Sequence, residues 1–303
     1  MTSHLILLQC SASLLAGLAL SGCALASPGT LLLPLGADPA AQASRVAEQA
    51  RRAEVIYLGE VHDNPYQHAR QRDALEAMLA DGARPALAFE MLPQEQQPAL
   101  DAALAAASTA AEFDQRLGWT RRGWPDFAMY WPLFELAKRY GLRVVATDLD
   151  PALVRRIARG ETTPAERGPS VASLLPPDAA REAAIARTIQ KGHCDLLPER
   201  QLPSMVESWH ARNVTMARRI ADTLRGSSQV VMIIGRGHQA AGGLPSQLAA
   251  LRAGTRQLVV DMREAGEDEA PVVESGTALI AWVTPRADRP DQCEELRRQL
   301  KKR

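Results

Sequence analysis

Residues 229–238 read Gln-Val-Val-Met-Ile-Ile-Gly-Arg-Gly-His. An unbroken apolar run with no polar alternation is the habit of a strand covered on both faces, as in parallel sheets. It closes on Gly235 and at once delivers Arg236 and His238. Working outward, the pattern recurs. Residues 55–59 (Val-Ile-Tyr-Leu-Gly) lead into Glu60 and His62, 85–89 (Pro-Ala-Leu-Ala-Phe) into Glu90, and 143–147 (Arg-Val-Val-Ala-Thr) into Asp148 and Asp150. Residues 257–262 and 278–283 complete six strand-like runs. Between them, 67–80, 98–113 and 127–140 have helical spacing, the last ending at Gly141, a C-cap residue. The interval from Leu153 to Arg225 has no strand-like run but three helical stretches, 153–160, 178–190 and 202–225. The expected fold is α/β: a mostly parallel central sheet flanked by helices, with a helical insert subdomain at about 150–226 inside a domain of 51–286. A charged C-terminal tail covers 287–303.

Composition narrows the function. The chain has 303 residues, 46% hydrophobic, with 35 Lys+Arg against 35 Asp+Glu. That excludes a disordered or fibrous chain, and the lack of a basic excess argues against a nucleic-acid partner. There is no His-Glu-x-x-His, Gly-x-Ser-x-Gly, Walker loop or Gly-x-Gly-x-x-Gly after the first strand. In open parallel sheets, ligands bind beyond the carboxyl ends of the strands. Glu60, His62, Glu90, Asp148 and His238 are therefore expected on one rim. Two chemistries suit them: ligation of a divalent metal that activates water, or a hydrogen-bonded network shaping a pocket. Asp63, Asn64, Asp148 and Asp150 also suit helix caps.

The N-terminus carries different information. No Asp, Glu, Lys or Arg precedes Asp38, and residues 5–20 are almost wholly apolar. Leu20-Ser21-Gly22-Cys23 resembles a bacterial lipobox, which assigns 1–22 to a signal peptide, Cys23 to lipidation and 23–50 to a tether. Without an Asp after Cys23, the sorting habit of such lipoproteins favours the outer membrane. The remaining cysteines of that mature chain, Cys194 and Cys293, either pair with each other or leave Cys194 as a site thiol. The insert adds a cluster of its own: His193-Cys194 in a turn, then Met205, Trp209 and His210, with Trp124, Tyr130 and Trp131 upstream. Haem iron accepts His, Cys, Met or Tyr.

Read in order, Tyr57-Leu58-Gly59-Glu60-Val61-His62-Asp63-Asn64, Phe89-Glu90-Met91, Trp131-Pro132-Leu133, His193-Cys194, Leu197-Pro198-Glu199, Met216-Ala217 and Gly235-Arg236-Gly237-His238 resemble the ChaN-like lipoproteins, the haem-binding uptake branch of the Tiki superfamily. The resemblance spans residues 52–285. It implies a lipid-anchored, periplasm-facing protein of the outer membrane that binds haem during iron uptake. It further implies a homodimer on haem binding and an outer-membrane haem receptor as partner. Haem ligand candidates are Tyr130, His193, His210 and Cys194, with Lys191, Arg200 and Arg212 for the propionates. That reading favours a binder over an enzyme. The alternative, from relatives elsewhere in the superfamily, is a metal-dependent hydrolase using Glu60, His62, Glu90 and His238.

Overall fold

The computed structural model of the protein describes residues 30–267 and 277–301. The expected signal peptide and Cys23 lie outside them. The chain runs β1 (Thr30–Leu33), α1 (Pro39–Ala50), β2 (Val55–Glu60), α2 (Pro65–Ala80), β3 (Ala86–Pro93), α3 (Gln97–Ala106), α4 (Ala110–Leu117), α5 (Trp131–Tyr140) and β4 (Val144–Asp148). The insert follows with α6 (Pro151–Ala158), α7 (Pro164–Arg167), α8 (Ala179–Gly192) and α9 (Leu202–Thr223). The chain then returns through β5 (Val230–Gly235), α10 (Leu244–Leu251), β6 (Gln257–Glu264), β7 (Ala278–Thr284) and α11 (Gln292–Lys301).

Among the described residues the sheet has seven strands in the order β1-β7-β6-β2-β5-β3-β4. Every pairing is parallel. Burial on both faces explains the unbroken apolar runs. In β2, Ile56 and Leu58 join the core under α1 to α5, while Val55 and Tyr57 join the core under α9 and α10. Among the described residues, all buried members of these two cores fall between Leu33 and Trp282.

The sheet ends at β4, an edge strand whose open backbone groups would pair with any free strand. Side chains occupy them instead. Gln97 donates to the Val144 carbonyl at 2.9 Å and accepts from the Ala146 amide at 2.9 Å. Arg219 donates to the Ala146 carbonyl at 3.2 Å and to Gln97 Oε1 at 3.1 Å.

Three elements differ from the sequence reading. Residues 30–50, read as a tether, contribute β1 and α1 to the fold. Thr30–Leu33 is too short to show periodicity, but it pairs with β7, and Gln42 of α1 accepts from Trp282 Nε1 at 2.9 Å. The expected helix at 98–113 is two helices, because Thr109 adopts an extended conformation and its hydroxyl accepts from the Glu112 amide to start α4. Residues 127–129 form a separate 3-10 turn ahead of α5. The insert is helical as expected. The charged tail is ordered into α11 as far as Lys301, and a disulfide between Cys194 and Cys293 ties it to the insert.

Candidate functional site

β2, β3, β4 and β5 stand side by side, so what their C-terminal ends carry meets on one rim. Glu60 is the last residue of β2 and is 2% exposed. Its Oε1 accepts from the Tyr130 hydroxyl at 2.6 Å and pairs with His62 Nδ1 at 2.8 Å. Its Oε2 accepts from Gln71 at 2.6 Å and lies 3.4 Å from His68 Nδ1. Four partners for one buried carboxylate satisfy its acceptor sites. Burial alone would raise its pKa. The charges and hydrogen bonds of His68, His62 and Tyr130 reverse that and hold the carboxyl below its ordinary value. Burial, then Glu60, push the Tyr130 phenol well above its ordinary value, so it stays a neutral donor.

Glu90 anchors the other half. It lies within β3, where a register shift between Phe89 and Pro93 interrupts pairing with β4. One oxygen accepts from the Gly235 amide at 2.6 Å, and the other accepts from Arg212 at 2.8 Å and lies 3.3 Å from His238 Nε2. Arg212, from the middle of α9, also grips Asp148, donating from Nε to Oδ1 at 3.1 Å and from Nη2 to Oδ2 at 2.7 Å, a forked pairing. Burial works against the Glu90 charge, but His238 and Arg212 outweigh it and hold the carboxyl well below its ordinary range. His238 is fixed on its other side by Asn213 at 3.0 Å.

His62 joins the halves. Its Nδ1 is held by Glu60 and its Nε2 lies 3.9 Å from Glu90. Its side chain remains 30% exposed. Burial pulls its pKa down, but the Glu60 hydrogen bond and the two carboxylate charges leave it raised. Trp124 meets His62 edge-on at 5.0 Å, and Trp209 lies parallel to His238 at 6.0 Å. A half-exposed imidazole backed by an ionised carboxylate can accept and return a proton, or bind a ligand through Nε2.

Of the residues singled out from sequence, Glu60, His62, Glu90, Asp148, His238 and Tyr130 come together here. Asp150 and Asn64 cap α6 and α2. Tyr130 is fully buried behind Glu60, within the rim network and off the surface. His210 is buried, with Nε2 2.8 Å from Glu182. Cys194 is bonded to Cys293, which removes it as a thiol ligand. His193 is half-buried at the end of α8, its Nδ1 2.7 Å from the Ile189 carbonyl. The divalent metal weighed as one possibility gains no support: among the described residues no three His, Cys, Asp or Glu are grouped to hold one. Between Glu90 and Asp148 the cation is the Arg212 guanidinium.

Sequence reasoning missed His68, Gln71, Arg212 as a rim residue, and Asn213. For α2 a signal existed. Gln67, His68 and Gln71 occupy buried helical positions where an amphipathic helix carries apolar side chains. For Arg212 none did, because 122 residues separate it from Glu90.

A family model described as haem-binding uptake, Tiki superfamily, ChaN matches residues 46–248. The chain belongs to the ChaN family. A solved structure of ChaN from Campylobacter jejuni, described by its cofacial haem binding, shares the fold with a TM-score of 0.58 and 20% identity. The alignment covers 74% of this chain and 86% of that one. The type III effector HopBA1 aligns at 0.46 and 13% identity over 86% of this chain and 100% of its own. The MARTX toxin effector domain RRSP from Vibrio vulnificus aligns at 0.44 and 17% identity, covering 80% of this chain and 41% of its own. Neither likeness carries weight beyond the ChaN assignment. No curated protein matches the chain.

Proposed function

We propose that this chain is a haem-binding protein serving haem and iron uptake, anchored by a lipid on Cys23 to the outer membrane, facing the periplasm. It takes haem as a homodimer and exchanges it with an outer-membrane haem receptor. The observation that carries this reading is the match of residues 46–248 to the haem-binding uptake family. Among the described residues no helix is long and apolar enough to cross a membrane.

The four ligand candidates are not equally suited to iron. Tyr130 and His210 are buried and engaged, and Cys194 has no thiol. His193 remains. Hydrogen bonding of its Nδ1 to the Ile189 carbonyl fixes the tautomer with the proton on Nδ1, which leaves the Nε2 lone pair for a metal. That backbone-held imidazole is how proteins present histidine to haem iron. Arg200, exposed on the next turn, is available to a propionate. Titrating haem into the chain should give a saturable Soret band, and His193→Ala should shift or abolish it. Absence of specific haem binding in the intact chain refutes the reading.

A second reading has its own observation. The Glu60–His62 pair has the geometry of a general base, with Arg212 and His238 beside it to meet developing negative charge. Hydrolysis through this pair would need no metal. Ester or peptide turnover lost in His62→Ala, with haem binding unchanged, would establish it.

A further inference from the structure

The opposite end of the molecule is unlike the rim. Because every strand runs the same way, each loop from a helix into a strand falls on the N-terminal edge of the sheet. Those ahead of β2 to β6 cover residues 51–54, 81–85, 141–143, 224–229 and 252–256. They carry seven arginines against two acids, Glu54 and Asp81, in a chain whose charges balance at 35 and 35. The acids are already occupied, Glu54 by Arg252 and Arg256 and Asp81 by Arg51. Arg52, Arg84 and Arg143 are exposed and make no ion pair among the described residues, and neither does Arg139 in the last turn of α5. The negative ends of helix dipoles converge here, which lets the arginines sit side by side. That effect fades within a turn, whereas exposed guanidinium groups act outward over about 10 Å in ordinary salt.

Two further features share this edge. Tyr140, 38% exposed, lies beneath the Arg84 guanidinium at 5.1 Å. Leu251, 36% exposed, ends α10 beside Arg252. Arginine with tyrosine and leucine is the composition that settles at a bilayer interface. The chain also arrives here. Thr30 pairs with Leu279 near the start of β7, so residue 30 enters from the arginine edge. Seven residues upstream, Cys23 can be no farther than about 25 Å from it.

We propose that this arginine edge docks on an anionic phospholipid surface, which turns the rim holding Glu60, His62 and His238 away from the membrane. The attraction is a property of the folded domain and does not require the lipid on Cys23. Its failure is therefore separable from failure of the anchor or of haem binding.

The test uses the chain from residue 24 onward, which retains both cores, with vesicles of one-third phosphatidylglycerol in phosphatidylcholine or of phosphatidylcholine alone. Flotation should show binding at least about tenfold stronger to the anionic vesicles, released when salt rises to about 0.5 M. A cation near an anionic surface is worth about fivefold in binding, so Arg52→Glu, Arg139→Glu and Arg143→Glu together should reduce it about a hundredfold. Their circular dichroism and haem titration should be unchanged. The same charge change on the insert, Arg155→Glu, Arg156→Glu and Arg187→Glu, should have little effect. Equal binding to both vesicles, no binding to either, or equal loss with both triple variants overturns the proposal.

Discussion

Replacing Arg212 with methionine tests whether its guanidinium is what makes the rim stable. Methionine keeps the length and apolar stem but removes the cation between Glu90, 2% exposed, and Asp148, 12% exposed by side chain. Removing one partner of a buried pair costs about 3–5 kcal/mol, because the other charge stays buried without compensation. Asp148 can turn toward water but Glu90 cannot, which places the loss at about 3 kcal/mol. In a domain of this size that lowers the melting temperature by about 6–12 °C. The pH dependence gives a sharper check. In the native protein the Glu90 carboxyl is held well below its ordinary value. Its contribution is therefore fully present above the unfolded value of about 4.3 and is lost as pH falls through the folded one. Without Arg212 the folded-state value rises, so protonation in acid relieves the variant sooner. Urea unfolding at neutral pH and near pH 4.5 should show the gap between native and variant narrowing in acid. A loss below about 1 kcal/mol at neutral pH, or a gap that widens in acid, refutes the reasoning.

Tyr130→Phe removes a buried donor to Glu60 and should cost about 1–3 kcal/mol in unfolding experiments, yet leave the Soret band of the haem complex unchanged. Glu60→Gln should lower the His62 pKa, which two carboxylates now hold raised; proton NMR of the imidazole reads this directly. By the same sign, the stability from charged His62 is fully present below its unfolded value and disappears as pH rises through its folded one. Gly235→Ala would bring a Cβ to 2.8 Å from His62 Nε2 and 3.2 Å from Glu90 Oε2, so a destabilisation of about 1–3 kcal/mol and a shifted His62 resonance are expected. Reducing the Cys194–Cys293 disulfide, which spans 99 residues, should lower stability by up to about 4–5 kcal/mol and loosen the His193 turn, seen as faster amide exchange there.

Much of this architecture was written in apolar runs that do not alternate. Val230 to Ile234 cannot leave one face to water, and that fact alone demands helices on both sides of a parallel sheet. Parallel strands then send Glu60, Glu90 and His238 to the same rim, whatever their separation in sequence. What lay outside that logic came from long-range packing. Thr30–Leu33 carries no periodicity in four residues and exists as a strand only because β7 offers a neighbouring edge. Thr109 splits a helix because its hydroxyl competes for the Glu112 amide, a local effect that hydrophobic spacing cannot register. Arg212 reads as one more basic residue on a helix until α9 is laid across the strand ends. Its importance is set by docking angle, which no short stretch of sequence encodes.

The hydrogen bonds of Gln97 and Arg219 along β4 reach beyond the fold. A strand margin sealed by a neighbouring amide and guanidinium offers nothing for another copy to zip onto. At this margin of the sheet, any pairing of subunits must then be made by side-chain surfaces, which separate more readily than a shared run of backbone bonds.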